Sequence, residues 1–379
     1  MKSIHNQGST SKKAPSVNSL PPLQALEHLD PARFETPAIL KRLVSAHRAL
    51  AEFKGVAASM PNQNILLSTL GLQEAKDSSE IENIVTTHDE LFREAMQQAA
   101  ASPAAKEVAR YNHALRAGFE AVRNSGLLTG RHIIEIQSVL EKNRAGYRKL
   151  PGTVLKNGAG RVVYTPPGPE LLPGLMGDLE RFINDEERFA ADPLVKMALI
   201  HHQFESIHPF YDGNGRTGRI VNVLYLVKQG LLESPVLYLS RAIVRSKADY
   251  YRLLQDARER GQWEPWVLYM LGAVESTATD GMATIQAIKA ALMDAKHRIR
   301  DGYKFYSQDL INNLFSHPYT KIEFLQRDLE VSRLTATRYL DALVAGGLLR
   351  KLKAGRSNYY INEPLFRILS SQAPPTESN

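Results

Sequence analysis

The chain has 379 residues, 43% hydrophobic and 23% charged, with a formal net charge of +7 and no cysteine. That length leaves room for about two or three domains. The missing cysteine excludes disulfides, thiol catalysis and cysteine-held metals, and no apolar run approaches the roughly 18 residues of a membrane span.

The expectation from these numbers is a soluble protein with no membrane partner. The first residues carry lysines but no apolar leader segment, so the expected location is cytoplasmic. The positive charge permits contact with nucleic acid without establishing it.

In chain order, residues 1–24 are rich in Ser, Asn, Lys and Pro without periodicity and read as a mobile tail. Over 25–123, Leu and Ala recur at helical spacing, broken at Pro61 and Pro103, which predicts an N-terminal helical region. Within it, Ser78-Ser79-Glu80-Ile81-Glu82-Asn83 is, on composition alone, an exposed acidic turn of helix. The second domain, 124–279, opens with a helix over 130–145. Two β-prone runs follow, Thr153-Val154-Leu155-Lys156 and Arg161-Val162-Val163-Tyr164, and Asn157-Gly158 between them signals a hairpin. Residues 169–184 read as largely helical. Asp192 and Pro193 then supply an N-cap and a first-turn proline for the helix that leads to residue 208.

Next comes the densest stretch of chemistry, His208-Pro209-Phe210-Tyr211-Asp212-Gly213-Asn214-Gly215-Arg216-Thr217-Gly218-Arg219. Gly213 and Gly215 stand where a helix begins and can let main-chain N–H groups approach a ligand, an arrangement suited to an anion. The apolar run Ile220 to Val227, closed at Gly230, reads as a buried helix whose N-terminus favours phosphate. Arg216 and Arg219, three apart, can bind phosphate oxygens from one face, and Asn214 can cap the helix or touch the ligand. Asp212 offers the oxygen ligation that Mg²⁺ prefers when it bridges phosphates. His208, with an ordinary pKa of about 6.5, can take a proton from an attacking hydroxyl. Together these residues predict a phosphoryl or nucleotidyl transferase.

Other readings of the stretch are weaker. Gly213 to Gly218 also fits the dinucleotide fingerprint, but that motif needs a strand before it and an acidic residue ending a second strand, and neither context is present. A zinc site from His201, His202 and His208 matches no common ligand spacing.

Downstream, Tyr250-Tyr251 on their own read as core packing, and Trp263 and Trp266 read as core anchors. Residues 280–300 form an Ala-rich amphipathic connector helix. Residues 301–370 then give three short helices and a basic hairpin carrying Lys351, Lys353 and Arg356, and 371–379 is a second tail. Between 303 and 370 there are ten Lys/Arg against six Asp/Glu, a charge compatible with DNA or with protein contact.

The twelve-residue stretch resembles the signature H-x-F-x-[DE]-G-N-G-R-x-x-R of Fic-domain proteins at every specified position. The resemblance implies a mainly α Fic fold with a β-hairpin flap, plus a C-terminal winged helix. It implies transfer of AMP from ATP to a Ser, Thr or Tyr hydroxyl of a target protein, with Mg²⁺ or Mn²⁺ as cofactor. By resemblance His208 is the general base, Asp212 the metal ligand, Phe210 a core anchor, Gly213 to Gly215 the phosphate nest, and Arg216 and Arg219 the phosphate clamps. Ser78, Glu82 and Asn83 match the [ST]-x-x-x-E-[GN] inhibitory motif, in which the glutamate pairs with the second signature arginine, here Arg219. Thr153, Val154, Leu155 and Lys156 are similar to the flap edge that docks the target, and Tyr250 and Tyr251 to the border of the adenosine pocket. The chain departs from the family at Arg258, where Asn is frequent. Removal of AMP by the same site, with Glu82 positioning water, and a DNA-binding regulator with a nucleotide-sensing core remain alternatives. A second copy of the chain and duplex DNA are candidate partners.

Overall fold

The computed structural model describes residues 23–94, 102–354 and 357–370. Both expected tails, but for residues 23 and 24, lie outside the described residues, as does Arg356.

The molecule is mainly helical. Helices α1 (Pro37–Ala58), α2 (Gln63–Ile81), α3 (His88–Glu94) and α4 (Pro103–Ser125) build the N-terminal region. Pro61 separates α1 from α2. Pro103 does not break a helix but starts α4, where its missing N–H costs nothing and Ser102 caps Ala105 N–H. Helix α5 (Gly130–Glu141) is closed at Lys142. Strands β1 (Leu155–Lys156) and β2 (Val162–Tyr164) pair antiparallel across a bulged register.

Helices α6 (Leu172–Asn184), α7 (Pro193–Ile207) and α8 (Asn214–Lys228) follow. Asp192 caps α7 through Leu194 N–H at 2.8 Å, as its sequence position predicts. Every residue of α7 after Pro193 is buried, and so is α8 from Arg216 to Leu226. The hairpin they form is therefore the centre of the domain, walled by α4, α5, α6 and α11. A helix buried on all sides has no polar face to spend, so each charged side chain it carries needs a partner or a function.

Helices α9 (Ser240–Arg245) and α10 (Lys247–Arg260) lead into α11 (Trp263–Gly302), one unbroken helix of 40 residues. The connector expected over 280–300 is the second half of that helix. Trp266 is fully buried and donates to Ala198 O of α7 at 2.8 Å, an anchor in the core.

The C-terminal unit contains α12 (Gln308–Ser316), β3 (Tyr319–Thr320), α13 (Ile322–Leu329), α14 (Arg333–Ala345), β4 (Arg350–Ala354), β5 (Ser357–Ile361) and α15 (Glu363–Ser370), with sheet order β3-β5-β4. It packs on α2, α3 and α11: Phe92 stacks on Tyr319 at 5.8 Å and meets Phe366 at 6.0 Å. Gln73 of α2 donates to Leu369 O at 2.8 Å.

Candidate active site

Helix α7 closes on His208, a non-glycine residue in the left-handed region at φ 49°, whose N–H reaches Phe204 O at 3.0 Å. The chain then folds tightly back. Phe210 is fully buried, and Asn214 brackets it, accepting from Phe210 N–H at 2.9 Å and donating to Phe210 O at 2.8 Å. The Asn214 side chain is thus spent on the loop. Gly213 at φ 77° starts α8 in a conformation that glycine adopts without strain. At position 215 a Cβ would run into Glu82 Oε1, so only glycine leaves room for that close approach.

These residues face a cavity of about 380 Å³ lined by His208, Asp212, Gly213, Asn214, Gly215, Arg216 and Arg219. Leu155 of the flap, Tyr250, Tyr251 and Leu254 of α10, and Glu82 beyond the end of α2 complete much of its wall. The residues of the 208–219 stretch singled out in the sequence therefore share one cavity with Glu82, Leu155, Tyr250 and Tyr251. Ser78 stands behind Arg219, and Asn83, Thr153, Val154 and Lys156 lie outside the lining. Thr153 is buried, Val154 and Lys156 are half-buried, and among the described residues β1 pairs with no strand other than β2. Tyr250 is both wall and core, its hydroxyl 2.8 Å from His201 Nε2. His201 is thereby engaged in packing, as is His202, whose Nε2 lies 3.2 Å from Leu254 O.

The Arg219 guanidinium is buried. Its Nε donates to Ser78 Oγ at 2.8 Å, and its Nη2 donates to Ser78 O at 2.9 Å and to Glu82 Oε1 at 3.0 Å. The end of α2 explains why Glu82 arrives there. Asn83 is left-handed at φ 63°, its N–H bonds Glu80 O, and Ile84 N–H bonds Ser79 O, both at 3.0 Å. This Schellman closure favours Gly or Asn at position 83 and turns the preceding side chain toward α8. Burial works against the Glu82 charge, and the Arg219 cation overcomes it, holding the carboxyl below its ordinary range. Arg216 is also occupied, by Glu107 at 2.6 Å and Glu141 at 2.7 Å.

Burial, reinforced by Arg148 and Arg258, pushes the His208 pKa down to about 3, while Glu82 opposes the shift. The imidazole is neutral near pH 7 and able to accept a proton. Asp212 is exposed, with one oxygen accepting from Gly213 N–H at 2.8 Å. Among the described residues no group of three or more His, Asp or Glu is arranged to hold a metal by itself.

Sequence reasoning missed Glu205, Glu107, Glu141 and Arg148. Glu205 lies one turn before His208 on the wholly buried α7, and burial pushes its pKa up to about 7 against the pull of Arg219. A carboxylate in so apolar a helix was a readable signal; the other three reach the site from distant segments and carry none. Arg258, where the chain departs from the family pattern, lines the cavity, donates to Ser206 Oγ at 3.1 Å and lies over the Tyr164 ring of the hairpin at 3.8 Å.

In the C-terminal unit, Arg333, Arg350 and Lys351 pair with Glu323, Glu363 and Asp341. No helix among the described residues is long and apolar enough to cross a membrane.

Three family models match the chain in order. They are "Fic/DOC family N-terminal" over residues 40–120, "Fic/DOC family" over 127–226, and "Protein adenylyltransferase SoFic-like, C-terminal domain" over 292–365. Among curated proteins the chain is similar to protein adenylyltransferase fic-1 of Caenorhabditis briggsae, 29% identical over 188 residues, covering 47% of this chain and 34% of that protein. It is also similar to protein adenylyltransferase Fic of Drosophila ananassae, 38% identical over 114 residues, covering 30% of this chain and 22% of that protein. The chain thus spans about a third or less of the length of these relatives. Among solved structures, a Fic family protein from Desulfovibrio desulfuricans G20 has a TM-score of 0.56 at 22% identity, covering 86% of this chain and 96% of that one. Fic-1 from C. elegans has a TM-score of 0.51 at 23% identity, covering 65% and 72%. At such identities the structural likeness concerns the fold.

Proposed function

The chain belongs to the Fic/DOC family, and from that premise we propose that it transfers AMP from ATP to a Ser, Thr or Tyr hydroxyl of a target protein, itself included, with Glu82 holding the site in check. The observation that carries this reading is the convergence of a neutral His208, an exposed Asp212, the Gly213 to Gly215 turn and two arginines on one cavity. The target oxygen forms a bond to the α-phosphorus as the bond from that phosphorus to the β-phosphate bridge breaks. The hydroxyl proton goes to His208, and pyrophosphate leaves. The N–H groups at the start of α8, with Arg216 and Arg219, hold the departing charge. Tyr250 and Tyr251 border the adenosine, and the Thr153 to Lys156 edge takes the target segment by strand addition.

The donor set fits a hard divalent ion. One exposed carboxylate beside a phosphate cradle suits Mg²⁺ or Mn²⁺, which is commonly bound by one or two carboxylates plus substrate phosphates. Asp212 is the residue that would hold it. When bound, the ion supplies neutralisation of phosphate charge.

In this reading Glu82 occupies Arg219, so the γ-phosphate cannot seat against it. The same carboxylate, ionised at the cavity wall, could instead orient water for removal of AMP. We read 25–123 as the inhibitory region, 124–279 as the transferase core and 301–370 as a winged helix. Helices α12 to α14, the following hairpin and the sheet order β3-β5-β4 support the last assignment. The pairing of three of its cations with carboxylates favours a protein partner over duplex DNA. Full-length protein is therefore expected to show no salt-sensitive binding to duplex DNA at low ionic strength, and steep salt dependence would reverse that preference.

Intact-mass measurement of the purified protein with ATP and Mg²⁺ tests the transfer. The expected result is an adduct of one adenylyl group that is absent in His208→Ala, which should still bind ATP. An adduct formed at the same rate by His208→Ala would overturn the role of His208.

A further inference from the structure

Directly behind the His208 turn runs a short stretch, residues 147–150. Arg148 is almost wholly buried, and the hydrogen bonds of its guanidinium go to main-chain carbonyls. Nε donates to His208 O at 2.9 Å. Nη2 donates to Pro167 O and, at 3.5 Å, to Ile207 O. The Arg148 N–H donates to Pro209 O at 2.9 Å. The stretch is bound further along as well, since the Tyr211 hydroxyl accepts from Lys149 N–H at 2.8 Å and Leu150 N–H at 3.1 Å. Tyr147 packs on Phe210 with ring centroids 5.6 Å apart.

The physics favours an arginine here. The carbonyls at the end of α7 lack intrahelical donors and carry the negative end of the helix dipole, so a cation there is stabilised. His208 must also hold a left-handed φ of 49°, which a side-chain-bearing residue keeps only where its surroundings fix it. A planar fork can hold several carbonyls in one geometry, whereas an ammonium group acts as a point charge. Pro167 lies just beyond β2, so the same guanidinium joins the exit of the flap to the base.

We propose that Arg148 is a positioning residue for the transfer step: by gripping the main chain at residues 207 and 208 and at Pro167, it fixes the aim of the His208 imidazole relative to the docked target hydroxyl. It does not line the cavity and so acts through His208, not on ATP. Its charge also helps to keep His208 neutral, alongside Arg258 and against Glu82. The inference rests on the AMP-transfer reading.

The test uses the full chain carrying Glu82→Gly, with Arg148→Lys and Arg148→Gln added separately. The expected result for both is a fall in kcat of at least about tenfold with the KM for ATP changed less than about twofold, the signature of a lost transition-state alignment. Arg148→Lys keeps the charge and loses the fork, so its failure separates geometry from electrostatics; if Arg148→Gln does not fold, this variant carries the test. Unchanged kcat in either folded variant, or a loss confined to KM, would overturn the proposal. The carbon-bound proton resonance of the His208 ring, assigned by its disappearance in His208→Ala, gives a readout that does not need turnover. It is expected to move or broaden in the Arg148 variants. Should the Glu82→Gly parent transfer nothing, the AMP-transfer reading falls. The ring resonance then decides Arg148 alone: a moved resonance keeps its hold on His208, and an unmoved one ends it.

Discussion

Arg219 is held by two residues of one helix end, Ser78 through both hydroxyl and carbonyl and Glu82 through its carboxylate. A buried guanidinium that loses an acceptor pays for the orphaned donor, about 1–3 kcal/mol for a group that nothing else satisfies. Ser78→Ala is therefore expected to lower stability by roughly that amount and to raise self-labelling severalfold, less than Glu82→Gly does. Parallel thermal melts and labelling time courses check it; wild-type behaviour in both would show that the hydroxyl contributes nothing to the grip. At this scale the sequence was informative where the chemistry is contiguous. The stretch from His208 to Arg219 displays its residue types side by side, and the resemblance added Ser78, Glu82 and Asn83. Arg148, Glu107 and Glu141 reach the same site from separate elements, and only the fold brings them together.

At the scale of elements, α2 is the unusual helix. It is buried along most of its length yet carries Glu74 and Asp77 inside. Glu74 accepts from Ser240 N–H at 3.1 Å and from the Tyr111 hydroxyl at 3.0 Å. Burial nevertheless raises its pKa from 4.5 to about 7. The sign follows from proton binding: between pH 4.5 and about 7 the folded state keeps a proton that the unfolded state has lost. Stability from this group is thus full below the unfolded pKa and is lost as pH rises through the folded one. Burial raises Asp77 as well, to about 6, with the same sign. His88, lowered to about 4 mainly by burial, acts in the opposite sense. Comparing wild type with Glu74→Gln cancels the background. The loss of unfolding free energy between pH 5 and pH 8 should be smaller in the variant by on the order of 2 kcal/mol, at about 1.4 kcal/mol per pKa unit. Equal losses would mean that Glu74 ionises in the fold as it does in water. Caps and hairpin were legible from Asp192-Pro193 and from Asn157-Gly158, because those signals are local. The unbroken α11 was not, since no local signal says whether two helical stretches join across residue 280.

Across the whole molecule, the C-terminal unit sits on α2, the helix that carries Ser78 and leads to Glu82. Phe92, Tyr319 and Phe366 form one aromatic contact, and Gln73 links α2 to the last helix. Phe92→Ala is expected to cost about 3–5 kcal/mol in urea unfolding if the contact is as well packed as the core. If that unit steadies α2, self-labelling should rise in the same variant; unchanged labelling would make the contact purely structural. The mainly α Fic fold followed from the resemblance, whereas this contact between distant parts of the chain had no sequence signature. In the proposed regulation, Glu82 and the γ-phosphate compete for Arg219. A charge-assisted contact of about 1.5–3 kcal/mol corresponds to roughly ten- to a hundredfold in rate. Labelling with α-phosphate-labelled ATP, compared among wild type, Glu82→Gly and Glu82→Gly with His208→Ala, measures it most directly. Weak labelling, labelling increased by that factor, and none are expected in turn; equal labelling of wild type and Glu82→Gly would rule the competition out.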